Sequence, residues 1–203
     1  MIAPCYPKTM FRLPFYTALV FLLITATGCG PATHADATDI TGVMPPLAFN
    51  MVRANDSARV SAADYRGKTV LLYFGYTHCP DECPTTLANI AAAFHQLGPS
   101  AQNVRVLFVS VDPARDTLPV LGRYVRAFAP EIDGLRGSDN AVAVFARRYR
   151  VLYAVTPASA GRAYEVMHSD SLFFFDGTGR ARYVLTSTAN TASLASMIEK
   201  LNG

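Results

Sequence analysis

Two cysteines four positions apart, Cys79 and Cys83, have the residue type and spacing best suited to chemistry in this sequence. They lie within residues 70–86 (VLLYFGYTHCPDECPTT), where an apolar run ends at Gly75 and a helical pattern follows the cysteine loop. The start of a helix favours the thiolate, which attacks disulfides and binds soft metal ions. Residues four apart in one helical turn share a face, so both sulfurs can reach one ion or form a disulfide.

The C-x-x-x-C spacing favours metal chelation, because the common redox motif of thioredoxins is C-x-x-C. Two buried structural cysteines, or a plain disulfide, remain an alternative. A disulfide that closes so short a loop constrains the unfolded chain little, so stability is a weak reason for it. Two thiolates can bind Cu(I), and a third ligand such as an imidazole makes a trigonal site suited to copper.

His168 is the candidate for a third ligand, because it precedes an apolar strand predicted at residues 172–175. Spacing alone leaves it open whether His168 is a ligand or an ordinary polar residue in a loop. The other histidines are expected elsewhere: His34 in an N-terminal tether, His78 pointing away from an ion held by its neighbour Cys79, and His95 on the surface of the first helix.

The elements that must position these residues alternate between strands and helices. The continuous apolar run at residues 69–74 predicts a strand buried on both faces. A weak hairpin is predicted before it, at residues 47–60. The further predicted strands are 104–111, 151–155, 172–175 and 182–185, and the predicted helices are 85–97, 117–128, 138–149 and 191–201, the second capped by Asp116 or Thr117. This order predicts an α/β sandwich whose sheet is mixed, because the last two strands form a hairpin.

The first 29 residues have the pattern of an export signal. Lys8 and Arg12 precede the apolar residues 13–26, and Ala26-Thr27-Gly28-Cys29 resembles a lipoprotein cleavage box in which Cys29 is lipidated. An ordinary signal peptide and an uncleaved membrane anchor are the alternatives, and all three place the domain outside the cytoplasm. Residues 30–41 are small and polar and predict a flexible tether, which leaves residues 42–203 as one domain.

The charge balance excludes a nucleic-acid-binding function. Lys8 and Arg12 are two of the 18 basic residues, so the chain beyond the leader carries 16 basic and 15 acidic residues. A nucleic-acid binder would show a basic patch or stripe. The four cysteines do not predict a disulfide framework either, because Cys5 and Cys29 belong to the leader region.

Several segments together resemble the Sco/SenC family. They are GYTHCPDECPTTL at residues 75–87, VSVDPARDT at 109–117, LRGSDNAVAVFARRYRVLY at 135–153 and HSDSLFFFDGTG at 168–179. The resemblance covers residues 42–203 and implies a thioredoxin-like three-layer sandwich with a mixed central sheet. It also implies a protein anchored in the membrane of the bacterial cell envelope, with its domain on the extracytoplasmic side.

The resemblance implies a copper chaperone that delivers copper to the dinuclear copper site of cytochrome c oxidase during its assembly. Cys79 and Cys83 match the family's copper-binding cysteines, which form a disulfide when oxidised, and His168 matches the third ligand. Met167 stands where the family commonly has Asp, so an ionised neighbour of the imidazole is missing. The expected cargo is a copper ion, Cu(I) or Cu(II). The expected partners are the oxidase's copper-site subunit, another copper chaperone and a thioredoxin-like reductant.

A thiol–disulfide oxidoreductase is the alternative function, with the same two cysteines reducing the oxidase's copper-site cysteines or another exported protein. A peroxidase is disfavoured, because the chain has no Trp and its Thr77-His78-Cys79 order lacks the Thr-x-x-Cys spacing of peroxiredoxins. A redox or copper sensor remains open.

Overall fold

The computed structural model describes residues 37–202, which form ten strands, four α-helices and two short 3-10 turns. The strands are β1 (Ala37–Asp39), β2 (Asn50–Arg53), β3 (Arg59–Ser61), β4 (Thr69–Gly75), β5 (Val104–Ser110), β6 (Ile132–Arg136), β7 (Tyr153–Thr156), β8 (Glu165–His168), β9 (Leu172–Phe175) and β10 (Ala181–Leu185). The helices are α1 (Glu82–Leu97), α2 (Leu118–Arg126), α3 (Asp139–Arg148) and α4 (Thr191–Asn202), and the 3-10 turns are Ala62–Tyr65 and Gly98–Asn103.

Eight strands form one mixed sheet in the order β1-β10-β9-β4-β5-β6-β2-β3. The inner strands β4, β5 and β6 are parallel, and the strands that flank them are antiparallel to their neighbours. All seven residues of β4 are buried, as the continuous apolar run predicted. The predicted terminal hairpin is confirmed as β9 and β10.

Helices cover both faces of this sheet. Tyr73 and Phe108 are neighbours in the β4–β5 register, and Phe108 packs 5.6 Å from Tyr124 of α2. On the other face, Phe74 packs 5.3 Å from Phe145 of α3. The three layers and the mixed sheet confirm the predicted thioredoxin-like sandwich.

The strand β6 is absent from the sequence-based prediction, which placed a loop between two helices there. Its sequence, IDGLR, contains an aspartate and a glycine, both of which are unusual in strands. Asp133 is buried and accepts a hydrogen bond from the Tyr65 hydroxyl at 2.9 Å. A Cβ on Gly134 would lie 2.7 Å from Cγ of Leu121, so this glycine lets α2 approach the sheet closely.

The strands β7 and β8 form a separate antiparallel hairpin. The strand predicted at residues 151–155 is therefore observed at Tyr153–Thr156, outside the central sheet. The prediction of a loop around His168 is wrong, because His168 is the last residue of β8 and pairs with Tyr153. The segment EVMH mixes charged, apolar and polar side chains, so it carries little strand signal.

The edge strand β1 lies within the stretch predicted as a tether. Its three residues pair with Tyr183, Val184 and Leu185 of β10. Most of the predicted leader and tether, including Cys29 and His34, lies outside the described residues. Within residues 37–202, no helix has both the length and the apolar character needed to cross a membrane.

Gly75 ends β4 directly beneath the cysteine loop, and we expect Gly75→Ala to destabilise the fold. A Cβ there would lie 2.8 Å from Cys83 Sγ and 2.8 Å from the Phe108 ring. Overpacking of this kind typically costs about 1–3 kcal/mol of unfolding free energy. Urea unfolding measures the loss, with Gly177→Ala as the control because its Cβ would meet its nearest atom at 3.4 Å. Equal losses in the two variants would contradict a tight fit at Gly75.

Candidate metal centre

Three chain segments meet at one edge of the sheet. Because β4 and β5 are parallel, the cysteine loop after β4 and the loop after β5 leave the sheet on the same side. The strand β9 is antiparallel to β4, and Leu172 pairs with Tyr73, so the segment that enters β9 starts at this same edge. His168 therefore approaches the two cysteines although 85 positions separate it from Cys83.

The two cysteines differ in burial. The helix α1 begins at Glu82, three residues before the predicted start, so Cys83 lies in its first turn and Cys79 in the loop before it. Both thiols are free; Cys83 is fully buried and Cys79 is half-buried. The Cys83 backbone N–H donates to Cys79 Sγ at 3.4 Å. Burial raises the pKa of the Cys83 thiol well above its ordinary value and so outweighs the favourable position at the helix start.

The imidazole of His168 faces these sulfurs. Its Nε2 lies 3.3 Å from Cys83 Sγ, and its Nδ1 lies 3.2 Å from the carbonyl oxygen of Ser169. A neutral imidazole with its proton on Nδ1 donates to that carbonyl and leaves the Nε2 lone pair facing the sulfurs. One ligand atom each from Cys79, Cys83 and His168 lie within 4.8 Å of one another. Two sulfurs and one imidazole nitrogen fit a soft metal ion such as Cu(I).

Two aromatic rings pack against the imidazole. The rings of Tyr73 and Tyr76 meet the His168 ring edge to face, with centroids 6.0 and 5.8 Å away. The Tyr73 hydroxyl donates to Asp170 at 2.7 Å, while Met167 is 63% exposed. The Ser169 carbonyl, and not the side chain of Met167, thus accepts the hydrogen bond from the imidazole Nδ1. The sequence offered no signal for Ser169 or Tyr73 in this role.

A buried carboxylate fixes the cysteine loop to the loop after β5. Asp116 is fully buried and accepts hydrogen bonds from Thr77 N at 3.1 Å, Thr77 Oγ1 at 2.6 Å and Ser110 Oγ at 2.6 Å. The prediction that Asp116 or Thr117 caps α2 is confirmed for the N-cap position of Thr117 and wrong for Asp116. Thr117 is the N-cap residue but makes no side-chain cap bond, and the Asp116 carboxylate is occupied by Thr77 and Ser110.

The remaining described histidines lie outside this cluster. His78 is exposed, and its Nδ1 lies 3.0 Å from Thr77 Oγ1. His95 is exposed on α1, which confirms its prediction as a surface residue. An open cleft of about 660 Å³ borders Cys79 and His168, so the site is reachable from solvent.

A dithiol and an imidazole at the edge of this sandwich define the class of protein. It is a thioredoxin-like protein with a site for a soft metal ion or for dithiol chemistry. The comparisons with known proteins narrow this class. The SCO1/SenC family model matches residues 46–203, and the chain belongs to this family.

Individual relatives agree with the family assignment. The protein is 43% identical over 119 residues to a mitochondrial SCO2 homologue of Bos taurus, a match that covers 58% of this chain and 45% of the relative. The chain thus spans about half the length of the curated relatives it matches. Two solved structures with copper bound resemble the fold: Arabidopsis thaliana ScoI (34% identity, TM-score 0.69, covering 76% of this chain and 96% of that one) and Bradyrhizobium japonicum ScoI (30%, 0.70, 77% and 98%).

The burial difference predicts unequal reactivity of the two thiols. In the reduced, metal-free protein at pH 8, we expect iodoacetamide to alkylate Cys79 at least ten times faster than Cys83. Cys83 is buried and its raised pKa keeps it protonated, and only the thiolate is a good nucleophile. Mass spectrometry of peptides at timed intervals measures both rates, and the urea-unfolded protein is the control in which they should converge. Equal alkylation rates of Cys79 and Cys83 in the folded protein would contradict the predicted difference in reactivity.

Proposed function

We propose that this protein binds one copper ion through Cys79, Cys83 and His168 and delivers it to the copper-site subunit of cytochrome c oxidase. The observation that carries the proposal is the convergence of these three ligand atoms within 4.8 Å. The copper-bound structures of family members at 34% and 30% identity support copper as the ion. Two soft thiolates and one imidazole suit Cu(I), so the transferred ion would be Cu(I).

Delivery would proceed by ligand exchange from the open side of the site. Cys79 is half-buried and borders the cleft, whereas Cys83 lies behind it in the core. A ligand of the recipient would therefore displace Cys79 first, while Cys83 and His168 still hold the ion. Binding requires the Cys83 thiolate, so loading releases the proton that the buried thiol carries in the metal-free protein.

The cellular setting is part of the same proposal. The leader pattern of residues 1–29, with Cys29 as the lipidated residue, supports a membrane anchor in a bacterial cell envelope with the domain on the extracytoplasmic side. Such a site would need a source of copper and a reductant that keeps both thiols reduced. Another copper chaperone and a thioredoxin-like protein are the proposed partners for these two needs.

Titration of the reduced protein with Cu(I) against a chromophoric chelator tests the three-ligand site. We expect one ion per chain, and we expect His168→Ala to weaken binding about tenfold or more, or about 1.4 kcal/mol. Replacing both cysteines by Ser should abolish binding, because hydroxyl groups are poor ligands for Cu(I). His95→Ala is the matched control, because His95 is exposed on α1 away from the cysteines. This variant should bind Cu(I) like the unmodified protein. Full affinity in His168→Ala would overturn the three-ligand model.

A thiol–disulfide reductase is the second candidate, and the unequal burial of the two thiols favours it. The Cys79 thiolate would attack a partner disulfide and form a mixed disulfide, releasing one partner thiolate. Cys83 would then lose its proton and attack Cys79 Sγ, which releases the second partner thiolate and leaves a Cys79–Cys83 disulfide. The partner disulfide gains two electrons, and this protein's dithiol supplies them.

Trapping separates this candidate from pure copper transfer. With an oxidised peptide that carries the oxidase's two copper-site cysteines, Cys83→Ser should accumulate a mixed disulfide through Cys79. Cys79→Ser should not, because the buried Cys83 cannot reach an external disulfide. Non-reducing gels and mass spectrometry detect the adduct. A reduced protein that leaves the peptide disulfide intact, with no adduct in Cys83→Ser, would exclude the reductase function.

A further inference from the structure

The third ligand of the proposed site is carried by an element that stands apart from the central sheet. Within residues 37–202, the β7–β8 hairpin makes no ladder with any of the eight other strands. At the end of the hairpin where the chain enters β7 and leaves β8, the Ser169 N–H donates to Leu152 O at 2.9 Å. This bond joins the two strands of the hairpin to each other and not to the central sheet. The position of His168 over the cysteines therefore depends on the short connection from β8 to β9 and on side-chain contacts between the hairpin and the body of the protein.

One residue supplies such a contact at the opposite end of β8. Tyr164 directly precedes this strand, and its hydroxyl donates to Asp112 Oδ1 at 3.0 Å. The Arg115 guanidinium lies over the Tyr164 ring, 4.1 Å from the centroid, and forms an ion pair with Asp112. Asp112 is only 1% exposed, so its position is fixed by the core. The loop after β5 thus holds Tyr164 both by a hydrogen bond and by cation–π stacking.

The same arginine links this contact to the metal centre. Arg115 also lies 5.7 Å from the centroid of the Tyr76 ring, and the Tyr76 ring meets the His168 ring at 5.8 Å. Tyr164, Arg115, Tyr76 and His168 therefore form a continuous row along the cleft beside Cys79. The row and the strand β8 connect Tyr164 to His168 by two separate routes.

We propose that Tyr164, held by Asp112 and Arg115, is a positioning residue that fixes β8 and thereby holds His168 in place over Cys79 and Cys83. This inference rests on the proposed function, in which His168 is a copper ligand. Without the contact β8 is held less firmly, and copper binding must then restrict its motion at a cost in affinity. Residues that orient a metal ligand typically change metal affinity by about 10- to 100-fold when they are replaced.

A double-mutant cycle on Cu(I) affinity tests whether Tyr164 acts through His168. We expect Tyr164→Ala to weaken binding about tenfold in the otherwise unmodified protein and to change nothing in a His168→Ala background. Tyr164→Phe keeps the ring over Arg115 but loses the hydroxyl, so its Cu(I) affinity should lie between those of Tyr164→Ala and the unmodified protein. Tyr183→Ala is the matched control, because Tyr183 is also half-buried and stacks with a cation, Lys200, at 5.4 Å. It should bind copper normally.

A second readout needs no copper. In the metal-free protein, Tyr164→Ala should raise the rate at which diethylpyrocarbonate modifies His168 several-fold, with the rate at His95 as the internal reference. Unchanged modification and unchanged affinity in both Tyr164 variants would overturn the positioning role. Equal losses of affinity in the presence and absence of the His168 imidazole would do the same, because Tyr164 would then act elsewhere. Should Tyr164→Ala not fold, Tyr164→Phe carries both measurements.

The two proposals fail in different ways. If His168→Ala keeps full copper affinity, the three-ligand function falls and the positioning proposal falls with it. If His168→Ala is weakened while both Tyr164 variants bind and react like the unmodified protein, only the positioning role is lost.

Discussion

The pairing of β4 with a parallel strand on one side and an antiparallel strand on the other is the constraint on which the site depends. Parallel pairing with β5 brings the cysteine loop and the Asp112–Asp116 segment to one edge, and antiparallel pairing with β9 brings His168 to that edge. All seven residues of β4 are buried, so its register is fixed by packing on both faces. The three candidate ligands converge because the directions of β5 and β9 relative to β4 bring their chain segments to the same edge of the sheet.

Burial imposes a second constraint on the chemistry of the site. Cys83 lies in the first turn of α1, where the helix dipole favours a thiolate. Its side chain is fully buried close to Gly75, however, and this burial raises the pKa of the thiol. Burial therefore favours the neutral form of this thiol, and in the proposed copper site the ion would replace its proton. Cys79 is half-buried at the border of the cleft, so we expect it to be the more reactive thiol of the pair.

The sequence predicted the parts of this arrangement whose signals are local. Continuous apolar runs predicted β4, β5 and β9, and the cysteine spacing predicted a chelating pair. The strand β6 escaped prediction because Asp133 and Gly134 interrupt its apolar pattern for tertiary reasons: a buried hydrogen bond and the close approach of Leu121. The role of Asp116 in fixing the cysteine loop was not predicted either. Its hydrogen-bond partners, Thr77 and Ser110, are brought to it by the tertiary fold, whereas the sequence pattern indicated helix capping.

The placement of His168 at the end of a hairpin outside the sheet has a consequence for the chain as a whole. Cys83 belongs to a helix packed in the core, and the 85 positions from it to His168 include the rest of α1, two further helices and four strands. An ion held by both residues closes this segment into a loop, much as a disulfide would, and restricts the unfolded chain most when the loop is long. A loaded copper site would thus act as a reversible cross-link in the protein that carries it.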